Sequence, residues 1–128
     1  MDPGRDRLRD LSARLLRLHK ILLDRERRAY EQRHGAVPSA ELFRLLLHDE
    51  RFVWLRALSS LIARIDEAVD TAEMLAIDDV ERAFRAAYDL LKSGAGGDFQ
   101  RRYHDALQDS PDVVIAHAEI SKLLPKAS

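Results

Sequence analysis

Cysteine is missing from this sequence, and its absence removes disulfide scaffolding, thiolate zinc sites, iron–sulfur clusters and cysteine nucleophiles at once. No apolar run approaches the roughly 20 residues that span a bilayer, and the opening stretch MDPGRDRLRD lacks the apolar centre of a secretory signal. These absences predict a soluble, cytoplasmic protein with no membrane contact. Aromatic residues supply only 6% of the chain and the net charge is −1, so the basic, aromatic-rich surface of a dedicated nucleic-acid binder is not expected. Only five glycines and four prolines interrupt 128 residues, of which 46% are apolar and 34% charged. That balance suits one hydrophobic core, hence a single domain over residues 1–128.

What is present is charge of both signs, unevenly placed. Residues 1–35 hold ten Lys and Arg against six Asp and Glu, whereas residues 66–81 hold seven acids and no base. Arginine outnumbers lysine 17 to 4 and asparagine is absent, which reads as genome composition because no site requires it.

The hydrophobic pattern is helical throughout. Residues 5–34 contain no Gly or Pro, and Leu8, Leu11, Leu15, Leu18 and Leu22 recur at spacings of three and four, the period of one helix face. Gly35 stands where a C-terminal cap belongs. Ser39 reads as the N-cap of a second helix, and Asp49 as that of a third carrying Phe52, Leu55, Leu58, Ile62, Ile65 and Val69, with Trp54 beside the stripe. Asp78 with Glu81 resembles a capping box opening a fourth helix. Gly94–Gly97 reads as a flexible glycine-rich connection, Asp98 as the cap of a fifth helix, and Ser110-Pro111 as the start of a sixth. No segment alternates like a strand. The expected fold is all-α, a helical bundle of about five to six helices with a long N-terminal helix.

Candidate chemistry is thin. Among His19, His34, His48, His104 and His117 no two lie three or four apart, so no single helix presents two imidazoles to one metal ion. Glu31 and His34 make one Glu-x-x-His unit where a di-iron bundle needs two. The His-Asp pairs at 48–49 and 104–105 match chance in an Asp-rich chain, and capping already explains Asp49. His117 shares a stripe with Val113, Ile120 and Leu124 and reads as a core-edge histidine satisfied by one backbone or carboxylate partner. Gly94–Gly97 follows a helix and lacks the lysine of a phosphate-binding loop. The basic residues of the first helix alternate with acids, so nucleic acid is an unlikely partner.

The best enzyme candidate is the acidic segment 66–81. If the third helix continues through Met74, Asp66, Asp70 and Glu73 fall at i, i+4 and i+7 and line one face, with Glu67 beside them. Such carboxylates suit Mg²⁺, which gives an alternative reading as a Mg-dependent nucleotide phosphohydrolase. A partner Glu-x-x-Glu one helix earlier is missing, and a solvated acidic helix end that complements the basic first helix explains the run as well.

The stretch LHDERFVWLRALSSLIARIDE, Leu47 to Glu67, together with LLDRERRAYEQRHG earlier, resembles small uncharacterised bacterial all-helical proteins. The resemblance covers roughly half the chain, implies a bacterial source, and carries over no substrate or functional residue.

The leading expectation is a non-enzymatic bundle that works by protein–protein interaction, as a homodimer or with another protein, and no cofactor is expected outside the Mg alternative. Its contact residues would be Leu8, Leu11, Leu15, Leu18, Leu22 and Trp54, because these stripes are wider than a two-position seam. A second alternative is a small-molecule or cofactor pocket between helices near Trp54 and His117.

Overall fold

The computed structural model describes residues 2–71, 73–94 and 96–125. They form seven helices: α1 (Pro3–His34), α2 (Ser39–His48), α3 (Glu50–Val53), α4 (Arg56–Thr71), α5 (Ile77–Leu91), α6 (Asp98–Asp109) and α7 (Pro111–Ser121). Among the described residues there is no strand, and no helix is long and apolar enough to cross a membrane.

Helix α1 starts two residues earlier than the sequence pattern suggests. The Asp2 carboxylate accepts the Arg5 backbone N–H at 3.1 Å and Pro3 occupies the first turn, where a missing N–H costs nothing. Gly4 belongs to this turn because the start of α5 presses close: a Cβ there would meet Val80 at 3.1 Å. At the far end Gly35 takes φ 83° and donates to the Glu31 carbonyl at 2.8 Å, as a left-handed cap allows.

Helix α1 is the spine. Its strongest neighbours are α4 and α7, both antiparallel to it. Ser12 on α1 donates to Asp66 on α4, and Arg5 donates to the Val69 carbonyl near the α4 end. Arg14 donates to the Glu119 carbonyl of α7 at 2.6 Å, while Arg25 reaches Asp109 at the end of α6 at 3.0 Å. Arg7 lies over the Phe84 ring of α5, 4.6 Å from its centroid.

The main core joins the α1 leucines to Leu58, Ile62 and Ile65 of α4, Phe84 and Ala87 of α5, Tyr103 and Ala106 of α6, and Val113 and Ile120 of α7. A second, smaller cluster of Val37, Leu45 and Phe52 is flanked by Leu23, Tyr30, Leu42 and Leu46. It holds α2 and α3 against the C-terminal half of α1.

The break at Asp49 is present: Asp49 ends α2 and its carboxylate caps α3 by accepting the Arg51 N–H at 2.8 Å. The expected single third helix is nevertheless two. A turn at Trp54 and Leu55 separates α3 from α4, because Phe52 must face the small cluster while Trp54 and Leu55 face the main one. Three proposed caps move by one or two residues. Pro38, Ala76 and Gly97 occupy the N-cap positions of α2, α5 and α6 without side-chain caps, and Ser39, Asp78 and Asp98 lie in the first turns. Asp78, Asp79 and Asp98 there favour the helix dipole. Ser110 caps α7 as expected, accepting the Val113 N–H at 3.3 Å. Of the glycine-rich connection, Ala95 lies outside the described residues.

Candidate functional site

The expected interaction stripe is corrected by the packing. Leu8, Leu11, Leu15, Leu18 and Leu22 are all buried under the chain's own later helices, and Trp54 is only 5% exposed. The breadth of the α1 stripe is needed to meet α4, α5 and α7 at once, so none of these six side chains presents a surface.

The acidic segment does not form the expected row of carboxylates. Helix α4 ends at Thr71, so Glu73 is not in line with Asp66 and Asp70. Asp66 accepts from Ser12 on α1, while Glu67, Asp70 and Glu73 are exposed. Among the described residues, no three His, Cys, Asp or Glu side chains assemble as a metal-holding group.

His117 is a core-edge residue, with a tyrosine as partner in place of the expected carboxylate or carbonyl. Its Nδ1 lies 2.6 Å from the Tyr103 hydroxyl. Burial pushes the Tyr103 phenol above its ordinary value, and burial together with nearby Lys92 pushes His117 below its own. Both shifts favour the neutral forms, a protonated phenol and a neutral imidazole joined by one hydrogen bond. An aromatic ladder runs from here to Trp54 through Tyr103 and Phe99, with centroids 5.4–5.6 Å apart. The ladder is the physical link between the two residues proposed to flank a pocket, but the rings fill the space between them. His48 and His104 are exposed, and the His34 ring lies tilted against Tyr30, centroids 4.3 Å apart.

His19 is also held below its ordinary pKa by burial. In the unfolded chain both His19 and His117 take up protons as pH falls through about 6.5, while the folded chain resists until lower pH. The unfolded state then binds more protons, so stability is lost as pH drops through that window and regained as pH rises. Urea denaturation is expected to show a lower unfolding free energy at about pH 5.5 than at about pH 7.5, and the double variant His19→Gln, His117→Gln is expected to flatten the difference.

Charged side chains from three helices line a cleft between α1, α3 and α6. Its larger part, about 560 Å³, is lined by Arg25, Glu26 and Ala29 of α1, Asp49 at the α2–α3 junction, Glu50 and Arg51 of α3, and Arg102 of α6. An adjoining part of about 310 Å³ continues along Asp105, Gln108 and Asp109. Glu26 forms the floor, its side chain 13% exposed. Burial pushes the Glu26 carboxyl above its ordinary value, an effect only partly offset by Arg25, Arg51, the Trp54 indole and Arg102. Its nearest guanidinium is Arg25, at 3.5 Å. The Trp54 N–H approaches the same carboxylate without reaching regular hydrogen-bond geometry and is otherwise buried without a partner.

No protein family, curated protein or solved structure matches the chain.

The cleft was missed at the sequence level, although one signal was present. Continuing the spacing of Leu15, Leu18 and Leu22 by four residues lands on Glu26, a charge on the apolar face. Which arginines meet it depended on how α3 and α6 pack. Outside the cleft, the notable surface feature is apolar. Phe43 and Leu47 are exposed on the side of α2 opposite Leu45, and Val114 and Ile115 on the outer face of α7.

Proposed function

We propose that this protein acts by protein–protein contact, as a homodimer formed through the outer face of α7. The observation that carries the reading is that α7, PDVVIAHAEIS, is apolar on nearly every side although only one side is covered. Val113, Ala116 and Ile120 face the core, while Val114 is 47% and Ile115 61% exposed and Ala118 beside them is also exposed. A helix apolar all round is ordinarily enclosed, and a contiguous exposed patch of this kind marks a contact surface.

Charge placement favours a second copy. Asp112 lies at one end of this face and Lys122 just beyond the other. Two copies of α7 packed antiparallel about a two-fold axis bring each Asp112 to the other's Lys122 and Ile115 beside the small Ala118. The same patch serves both subunits, as a two-fold interface requires, and antiparallel packing opposes the helix dipoles favourably.

Sedimentation velocity over a micromolar to submillimolar concentration series is expected to show a reversible dimer. Ile115→Asp is expected to make it monomeric without loss of helical circular dichroism, because this side chain contributes little to the core. A chain that stays monomeric across the series, or an Ile115→Asp variant that still dimerises, overturns the proposal.

A further inference from the structure

We propose that the cleft between α1, α3 and α6 binds a tetrahedral oxyanion, the phosphate or sulfate group of a small molecule, held by Arg51 and Arg102 with Arg25 behind them. The proposal rests on donors left over in the cleft. The Arg51 guanidinium makes no hydrogen bond or ion pair with another described residue. Arg102 is tied through Nε to Asp98 at 3.2 Å, which leaves its terminal nitrogens. Arg25 keeps Asp109 at 3.0 Å and touches Glu26 only at 3.5 Å. The nine-tenths buried Trp54 N–H adds a further donor without a full partner beside Glu26.

Three guanidinium groups, carried by three different helices, thus line one cleft. A planar carboxylate is satisfied by one bidentate arginine; oxygens directed to three sides belong to a tetrahedral anion. The cleft is several times larger than inorganic phosphate needs and lies in the range of small-molecule sites, so the group is expected to be carried on an organic molecule.

Glu26 is the apparent obstacle, since its carboxylate lines the same cleft. Its burial resolves this. A carboxyl already held above its ordinary pKa by desolvation gives up its charge readily beside a dianion and then becomes an O–H donor to it. Binding is therefore coupled to proton uptake at Glu26. Groups facing Glu26 from the surrounding elements are Arg25, Arg51, Asp49, Glu50, Arg102, Asp105 and Asp109, with the Trp54 indole below. Among them Arg25 and Arg51 act on it most strongly, followed by the Trp54 indole and then Arg102. No histidine lines the cleft.

The test uses Trp54, the single tryptophan of the chain, as reporter. Sulfate is the first probe because it stays a dianion across the range, with inorganic phosphate as the second and chloride at equal ionic strength as the control. The folded protein is expected to show a saturable change in Trp54 emission with sulfate, tighter at about pH 5.5 than at about pH 7.5. Arg51→Ala is expected to weaken binding about tenfold or more, and Arg102→Lys, which keeps the charge but loses the fork, by a smaller factor. Glu26→Gln is expected to bind at the higher pH as tightly as the native chain does at the lower, and to lose the pH dependence. No saturable response to either anion, unchanged affinity in Arg51→Ala, or saturation by spermidine in place of the anions overturns the proposal.

Discussion

Replacing Leu15 by alanine is expected to lower the unfolding free energy by about 2–5 kcal/mol, a large part of the roughly 5–15 kcal/mol that keeps a domain of this size folded. Leu15 has 0% exposure and sits at the middle of the α1 stripe, in the cluster that joins α1, α4, α5, α6 and α7. Truncation there removes apolar atoms from a site walled by several helices, so collapse of one neighbour cannot fill the space. Leu16 is adjacent in sequence but 56% exposed, and its alanine variant is expected to change stability by about 0.5 kcal/mol or less. Chemical denaturation of the pair measures both. Equal effects would mean that α1 is rotated from the face described.

Phe52→Ala is expected to produce a comparably large loss, about 3–5 kcal/mol at the site, but distributed differently. Phe52 is 1% exposed and belongs to the small cluster with Val37 and Leu45, its ring 5.9 Å from that of Tyr30. The α2–α3 unit has little other apolar anchorage, whereas α1, α4, α5, α6 and α7 share the main core. Local unfolding is thus the cheaper response. Hydrogen exchange is expected to show α2 and α3 losing protection in the variant while the leucines of α1 and the body of α4 keep theirs. A uniform fall in protection would instead join the two clusters into one cooperative unit. The measurement also bears on the Arg51 side of the cleft, since α3 carries that residue and would leave with the lobe.

The two substitutions show where sequence and tertiary structure divide. Periodicity at three and four residues was enough to identify α1 and its buried leucines, because a helix of this length has one way to hide a continuous apolar stripe. Gly35 and the Ser110-Pro111 start were legible for the same local reason: each satisfies or removes backbone groups within one turn. The Asp49 break was legible too. The split between α3 and α4 was not, since Phe52 and Trp54 part company only because they enter different clusters.

For the sites the division is sharper. The sequence could say that the α1 stripe needed covering but not by what, because intramolecular and intermolecular burial leave the same pattern. Packing decided that the chain's own helices do it, and so moved the proposed contact surface to α7. The carboxylates at 66, 70 and 73 aligned only if one helix ran through Met74, and its end at Thr71 separated them. Glu26 is a charge at a stripe position, a local signal that went unread. That Arg25, Arg51 and Arg102 line one cleft with it follows from the docking of helices far apart in sequence, which no local pattern encodes.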